Sequence, residues 1–444
     1  MSQFLAFLPR HRTVAGILSC SLFLGMAALL HAENWPQWRG PLLNGASTET
    51  NLPSQIDQTN ALWTVPMPGK SGATPVIWQD YVFIPSPDSE KNIHLICINR
   101  LDGKVLWDQR VSGGDLQVGK NNSASPSAVT DGKTVWLICA TGELAAYDFT
   151  GREIWRRNLA KDYGAFSYMW LYGSSPLLLN GRLYIPVLQR DTPTYAHARD
   201  DKPVRESYLL CVDGTTGKNL WRHMRPTDAL EESQESYATP VPFEFEGRKE
   251  ILLVGGDYVT GHDPETGVEL WRCGGLNPRK SHWGRIITSV STSPGMIYAC
   301  SAKREVMLAI KAGGKGLITD THVAWKFTEN APDVCTPLYY QSQLFVLDGD
   351  KQVMTCMDPA TGAKKWQGKL GVREIFSASP TGADGKIYCF GEEGTVVVLA
   401  AGNEFKILST SNLGEGPSMS TIAAAQGQLF VRTAKNLYCF GNKK

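Results

Sequence analysis

The sequence lacks most of the short motifs that mark an enzyme or a metal site. Its ten cysteines include no adjacent pair, no C-x-x-C spacing for zinc and no C-x-x-C-H site for covalent haem. It also has no G-x-S-x-G elbow, no H-E-x-x-H pair, no Walker loop and no EF-hand loop. The usual sequence grounds for assigning hydrolase, nucleotide-binding or calcium-binding chemistry are therefore missing.

The chain also has no excess charge of one sign, since 44 Lys and Arg residues face 43 Asp and Glu residues. Without surplus positive charge, nucleic acid is not an expected partner. No apolar run after residue 32 approaches the 18 residues of a transmembrane helix, so we expect no span in the mature chain. Glycine (43) and tryptophan (13) are abundant, which favours a β-rich fold with many turns.

Residues 1–32 have the pattern of a secretory signal peptide. Arg10 and Arg12 form a basic start, an apolar run extends from Val14 to Leu30, and Ala32 offers a small residue for cleavage. Cleavage there predicts an exported protein of the periplasm or cell envelope. An uncleaved membrane anchor and a lipid anchor at Cys20 remain as alternatives. The nine other cysteines are odd in number, so they cannot form a fully paired disulfide framework, and most lie in apolar strand-like runs.

Two markers alternate along the rest of the chain. The first is Ser or Thr followed by Pro and an apolar run, and a degenerate eighth copy is Ser420-Thr421. The clear copies are Thr74-Pro75, Ser125-Pro126, Ser175-Pro176, Thr239-Pro240, Ser293-Pro294, Thr336-Pro337 and Ser379-Pro380. The second marker is D-x-x-T-G-x-x-x-W, a tight turn followed by a tryptophan strand. Its clear copies are Asp213–Trp221, Asp263–Trp271 and Asp358–Trp366, and looser copies end at Trp107, Trp155 and Trp325.

The markers predict an all-β, eight-bladed propeller with four-stranded antiparallel blades. Asp starts a tight turn through its side chain and Gly supplies a positive φ, so each second marker predicts a hairpin. Each repeat of 40 to 66 residues therefore holds about four strands, the size of one blade. The last repeat lacks its tryptophan strand, whereas an orphan one lies at Trp63. We therefore expect the strand around Trp63 to complete the last blade and close the ring.

These motifs resemble the repeat of quinoprotein-type propellers, the PQQ-like family that includes pyrroloquinoline quinone dehydrogenases and BamB. The resemblance covers residues 61–444, which follow an N-terminal extension at residues 33–60. The segment Trp35-Pro-Gln-Trp-Arg-Gly-Pro41 resembles the start of an exported bacterial subgroup. In this family the repeat tryptophans dock between blades. The resemblance implies the same structural role for Trp63, Trp107, Trp155, Trp221, Trp271, Trp325 and Trp366.

The resemblance also implies where a ligand would bind. The loops from each tryptophan strand to the next Ser/Thr-Pro strand gather around the channel on one face. The candidate ligand-binding residues of these loops are Asn121, Tyr168, Trp170, Tyr172, Tyr237, Trp283, Arg285 and Arg373. Aromatic faces with scattered donors suit a sugar, a quinone or a peptide. The alternative is that these loops pack on each other and plug the channel. The long insertion at residues 189–205 is either a recognition loop or a solvated one.

Three functions remain open. The first is an exported, non-catalytic binding or scaffold module, a monomer whose partner is an envelope protein, a peptide or a glycan. The second is a PQQ-dependent dehydrogenase of alcohols or sugars, which would hold PQQ with Ca²⁺. The third is a carbohydrate-binding propeller. The lack of a vicinal cysteine pair and of a haem motif favours the first function, with no confident cofactor and no metal site.

Overall fold

A computed structural model describes residue 1, residues 33–202 and residues 204–442. Residues 2–32 of the predicted signal peptide lie outside the described part. The described residues form eight antiparallel four-stranded sheets, one of which gains a short fifth strand. The predicted eight-bladed propeller is therefore confirmed. No helix of the described residues has both the length and the apolar character needed to cross a membrane.

The blades are numbered along the chain, and the first strand of each is its inner strand. Blade 1 consists of Val76–Trp78, Tyr81–Pro87, Asn92–Asn99 and Val105–Gly113, and blade 2 of Val129–Thr130, Thr134–Ile138, Glu143–Asp148 and Glu153–Asn158. Blade 3 consists of Leu177–Leu179, Arg182–Val187, Tyr208–Asp213 and Asn219–Met224. Blade 4 consists of Val241–Phe245, Arg248–Gly255, Tyr258–His262 and Glu269–Cys273.

Blade 5 consists of Ser291–Ser293, Met296–Cys300, Met307–Lys311 and Val323–Phe327. Blade 6 consists of Leu338–Tyr340, Gln343–Asp348, Val353–Met357 and Lys364–Lys369. Blade 7 consists of Thr381–Ala383, Lys386–Phe390, Thr395–Ala400 and Ile407–Asn412. Blade 8 consists of Ala423–Ala425, Gln428–Arg432, Asn436–Phe440 and Trp63–Pro66. The short helices are Gln58–Asn60, Leu159–Tyr163, Ala196–Ala198, Glu231–Gln234, Ala302–Arg304 and Thr319–His322.

Blade 8 is built from both ends of the propeller sequence. Trp63–Pro66 pairs antiparallel with Asn436–Phe440, with Trp63 opposite Cys439. This pairing confirms the predicted closure of the ring. Because Trp63–Pro66 pairs with it, the strand Asn436–Phe440 is not left as an unpaired edge of blade 8.

The D-x-x-T-G turns explain why the sequence forms these hairpins. Asp213 Oδ1 accepts hydrogen bonds from the backbone N–H of Thr216 at 2.8 Å and from its hydroxyl at 2.7 Å. These bonds lower the pKa of Asp213. Gly217 follows with a φ of +71°, and a Cβ at this position would lie 2.7 Å from the indole of Trp155. Glycine is therefore needed both for the backbone and for the tryptophan of the preceding blade.

Six repeat tryptophans contact the next blade in the same way. Each indole N–H donates a hydrogen bond to a backbone carbonyl in that blade's turn, over distances of 2.7 to 3.3 Å. The pairs are Trp63 with Arg100, Trp107 with Phe149, Trp155 with Gly214, Trp221 with Pro264, Trp325 with Ala360 and Trp366 with Gly402.

Trp271 differs from this expected pattern. Its indole N–H donates to Glu250 Oε2 of its own blade at 2.8 Å. Blade 5 has no D-x-x-T-G turn to offer a carbonyl, because Lys311 stands at the Asp position. The Gly-rich insertion that follows instead adds the strand Gly316–Leu317, which pairs in parallel with the outer strand of blade 4. The degenerate repeat thus changes the contact of the tryptophan before it.

The nine cysteines among the described residues are all buried and all free thiols. They lie in or beside the packed strands, where they behave as small apolar residues. Burial raises the pKa of the Cys273 thiol to about 11, which keeps it protonated and unreactive at neutral pH.

Candidate functional site

The inner strands of most neighbouring blades contact each other, and the eight inner strands surround a central channel. A Ser or Thr before each inner strand of blades 2 to 7 carries the hydroxyl that joins it to the preceding blade. Six backbone N–H groups donate to the hydroxyl oxygen of the next blade over 2.8 to 3.1 Å. In order, the chain of bonds runs from Thr74 to Ser127, Ser175, Thr239, Ser289, Thr336 and Ser379. We call these seven residues the hydroxyl ring.

In two blades the hydroxyl that bonds to the preceding blade does not belong to the Ser/Thr-Pro copy of that blade. In blade 2 the hydroxyl comes from Ser127, just after the Ser125-Pro126 copy. In blade 5 it comes from Ser289, because Ser293 ends the inner strand and Pro294 lies in the turn that follows. Proline can stand on either side of a short strand, so the dipeptide alone did not locate the hydroxyl.

Residues 33–49, which we call the strap, cover one end of the channel. Trp35 bridges to Ile77 of blade 1, and Ala46 bridges to Gly382 of blade 7. Arg39 is fully buried and donates hydrogen bonds to the carbonyls of Pro380 at 2.7 Å and Pro337 at 3.0 Å. Burial lowers the pKa of Arg39 to about 9. The strap thus spans several blades at this end.

Above the strap lies a cavity of about 540 Å³ along the channel. Trp38 of the strap and the hydroxyl-ring residues from Ser127 to Ser379 line it, together with Ile287, Val334, Ile375 and Met419. The six lining hydroxyls accept hydrogen bonds, but no described residue accepts one from them. Their O–H groups are therefore available as donors to a guest in the cavity.

Four of the eight candidate ligand-binding residues line this cavity: Asn121, Trp170, Tyr237 and Arg285. They lie on the loops that precede inner strands, at the end opposite the strap. The hairpin of Gln117–Val118 with Asn121–Asn122 places Gly119 against Trp170, where a Cβ would lie 2.8 Å from the indole. Trp170 is 37% exposed, so its ring forms part of the cavity mouth.

The other four candidates lie elsewhere. Tyr168 and Tyr172 are buried, with ring centroids 5.7 Å apart in an edge-to-face arrangement. They pack beside Phe166 and Tyr208 in the core of blades 2 and 3. Trp283 is exposed outside the cavity, and Arg373 is also exposed. Some side chains of the loop at residues 163–173 therefore pack in the core, whereas others line the cavity.

A buried carboxylate holds this aromatic loop in place. Glu235 Oε2 accepts hydrogen bonds from the Met169 N–H at 2.9 Å and the Tyr237 hydroxyl at 2.8 Å. Its other oxygen accepts one from Tyr195, at 2.7 Å, in the insertion at residues 189–205. Burial raises the pKa of Glu235. The insertion thus packs against the mouth loops, and His197 of the same segment contacts the Tyr168 carbonyl at 2.7 Å.

Arg285 is the cation with unused hydrogen-bonding capacity at the mouth. Its guanidinium lies 3.5 Å from both Glu232 and Asp333, yet its buried Nε and Nη1 atoms make no hydrogen bond with the described residues. The ion-pair distances are met, but the geometry of a hydrogen bond is not. Glu232 instead accepts the indole N–H of Trp170 at 3.0 Å.

The other charges of the lining are paired. Lys120 Nζ lies 2.6 Å from Glu392. Asp350 accepts a hydrogen bond from Arg304 at 2.7 Å, and Asp333 accepts one from the Lys303 N–H at 2.6 Å. Sequence reasoning missed Trp38, Asp333, Asp350 and the inner hydroxyls. For Asp333 a signal existed, since it precedes an inner strand as Arg285 does.

The cavity does not fit the calcium-dependent PQQ site that the fold resemblance implies. Calcium takes six to eight oxygen ligands, carboxylates among them. Across the described ranges, no three Asp, Glu, His or Cys side chains are grouped so that they could hold a metal. The two carboxylates of the lining, Asp333 and Asp350, are already engaged. The donors of the wall suit a guest rich in acceptors.

Comparison with solved structures finds the same architecture. BamB from Moraxella catarrhalis is 13% identical with a TM-score of 0.57, over 86% of this chain and 99% of that one. A quinohemoprotein alcohol dehydrogenase from Comamonas testosteroni is 11% identical with a TM-score of 0.64, over 93% and 81%. A europium-containing methanol dehydrogenase is 10% identical with a TM-score of 0.66, over 91% and 90%. These identities show a shared fold alone.

Among curated proteins, no sequence matches this chain. The sequence profile of the family described as outer membrane protein assembly factor BamB matches at residues 54–184, 122–324 and 255–444. These overlapping matches include all eight blades. The chain therefore belongs to the BamB-like family of PQQ-repeat β-propellers.

Proposed function

We propose that this chain is an exported, non-catalytic propeller that acts as a monomeric binding or scaffold module in the periplasm or cell envelope. An extended peptide segment of an envelope partner enters the open mouth of the cavity. The observation that carries this proposal is the cavity itself, closed by the strap at one end and lined by hydroxyls whose O–H groups have no acceptor among the described residues.

A peptide end supplies what this lining leaves unsatisfied. Its carbonyls and terminal carboxylate are acceptors for the inner hydroxyls, and the carboxylate carries the negative charge that attracts the Arg285 guanidinium of the lining. Ile287, Val334 and Ile375 give the same cavity an apolar part for side chains. Trp170 at the mouth offers a large amphipathic ring of the kind enriched in protein interfaces.

Location in the envelope is supported by two observations. The first 32 residues have the composition of a signal peptide. The matching family is described as an outer membrane assembly factor, and a protein of that description works among envelope proteins. The same propeller scaffold with partner-binding loops would serve there without a catalytic step.

Fluorescence titration of the chain at residues 33–444 tests the proposal, because Trp38 and Trp170 line the cavity. We expect saturable changes with a tetrapeptide library that has free carboxyl ends, and weaker binding of the same peptides as C-terminal amides. The Arg285→Gln variant should weaken binding about ten- to a hundredfold, the loss of a charge-assisted hydrogen bond. Arg279→Gln is the matched control, since Arg279 is 80% exposed outside the cavity.

The same titration, repeated with other ligands, tests the two alternative functions. Saturable quenching by PQQ with Ca²⁺, followed by alcohol- or sugar-dependent dye reduction, would replace the binding module with a dehydrogenase. Binding of oligosaccharides and not of peptides would favour the carbohydrate-binding propeller. If Arg285→Gln and Arg279→Gln bind peptides equally well, the cavity mouth is not the peptide site.

A further inference from the structure

The carboxylate of Glu49 joins the start of the strap to blade 8. Its two oxygens accept hydrogen bonds from the backbone N–H groups of Gln426 at 2.8 Å and Gly427 at 2.6 Å. Both donors lie in the turn between the first two strands of that blade. A third donor is the backbone nitrogen of Glu33, 2.5 Å from Glu49 Oε1.

Glu49 has no cationic side chain to balance its charge. It is 8% exposed, and among the described residues no Lys, Arg or His side chain lies within ion-pair distance of it. The nearest other acid on the strap is Glu33, whose own carboxylate is held by the Ser47 hydroxyl at 2.7 Å and the Thr48 N–H at 2.8 Å. The backbone N–H donors offset part of the cost of burying this carboxylate, and a positive charge beside it would offset more.

Cleavage after Ala32 would supply that charge at the right atom. A leader peptidase adds water across the Ala32–Glu33 peptide bond, leaving a carboxylate on Ala32 and an amine on Glu33. An α-amino group has an ordinary pKa of about 7.7–8.0 and is therefore mostly an ammonium at neutral pH. The Glu33 nitrogen already lies 2.5 Å from Glu49.

We propose that signal-peptide removal creates an ion pair between the new α-ammonium of Glu33 and Glu49, and that this pair fixes the strap across the channel. The proposal rests on the predicted cleavage site and is independent of the ligand. Since Trp38 of the strap lines the cavity, this ion pair stabilises the closed end of the cavity in the processed protein. Processing thus strengthens the attachment of the strap at the closed end of the binding site.

Trypsin cleavage after Arg39 measures release of the strap, because Arg39 is fully buried when the strap is bound. One protein begins at Glu33 with a free amine, produced by a fusion whose protease leaves Glu33 first. A second carries Gly-Ser before Glu33. We expect cleavage after Arg39 to be about tenfold slower in the free-amine protein, the size expected for one charge-assisted hydrogen bond. The Glu49→Gln variant should abolish this difference.

The matched control is Glu90→Gln, which removes an exposed carboxylate and should leave the tenfold difference intact. If Glu49→Gln does not fold, Nα-acetylation of the free-amine protein tests the same charge with Glu49 in place and should speed the cleavage. Equal cleavage rates for the free-amine and extended proteins would overturn the proposal. So would an intact mass of the exported protein that places its first residue anywhere but Glu33.

Discussion

Substitutions at two glycines with the same φ can separate two contributions to stability. One is the strain of a side chain in the left-handed region, and the other is crowding of a tryptophan packed on the turn. Gly217 and Gly427 both have a φ of +71°. A Cβ on Gly217 would lie 2.7 Å from the indole of Trp155, whereas a Cβ on Gly427 would meet nothing within 4 Å. Substituting alanine at each site therefore applies equal backbone strain and unequal crowding.

The magnitudes follow from these contacts. A non-glycine residue in the left-handed region costs about 1–2 kcal/mol, which both variants incur. Gly217→Ala also displaces an indole that is held by a 2.8 Å hydrogen bond to the Gly214 carbonyl, and such overpacking adds about 1–3 kcal/mol. We expect Gly217→Ala to lower the free energy of unfolding by about 2–5 kcal/mol. Gly427→Ala should lower it by only about 1–2 kcal/mol, the cost of the backbone strain alone.

Chemical unfolding followed by circular dichroism measures both losses, with the thermal midpoint as a second readout. Combining Gly217→Ala with Trp155→Ala should remove the crowding, so that the glycine substitution costs no more than Gly427→Ala does. Equal destabilisation by the two single variants would refute the reasoning, because the indole would then not be packed on the turn of the next blade.

Three further predictions concern stability and reactivity. Trp366→Ala should destabilise the fold by about 3–5 kcal/mol, because its indole is 9% exposed and bonded to Gly402. Ser409→Ala, at the equivalent register position in blade 7, should cost far less in the same unfolding assay. Burial lowers the pKa of His262 to about 4, so stability should fall as pH drops from about 6.5 toward 4, and His262→Phe should flatten this slope. Iodoacetamide at neutral pH should modify none of the nine buried thiols until denaturant is added, as an intact mass would record.

The fold was predictable because each repeat carries its own turn chemistry. The Asp–Thr–Gly signature fixes a local hairpin through short-range hydrogen bonds, such as those of Asp213 with Thr216. These contacts lie within a few residues, so the sequence alone reveals them. Trp271 departed from the pattern because its partner turn lies in another blade and had degenerated. A contact between blades depends on two distant sequences at once.

For the candidate site, the sequence indicates which loops lie near the channel but not which of their side chains line the cavity. The sequence predicted an aromatic loop beside the channel at residues 163–173, of which Trp170 lines the cavity while Tyr168 and Tyr172 are buried. Tyrosine and tryptophan serve equally as packing and as binding surface, so composition could not divide them. Arg285 and Asn121 reach the cavity because short loops hold them there. Trp38 had no local signal, since its position depends on the path of the strap.

The hydroxyl ring has an evolutionary consequence. Each of the six lining hydroxyls serves the preceding blade as an acceptor and faces the cavity at the same time, as Ser289 and Ser175 do. A mutation that alters the cavity wall therefore also weakens assembly of the blades, and selection on folding opposes it. The mouth loops carry no such double duty. Divergence of partner choice among relatives should consequently accumulate in the loops, while the wall beneath them stays Ser or Thr.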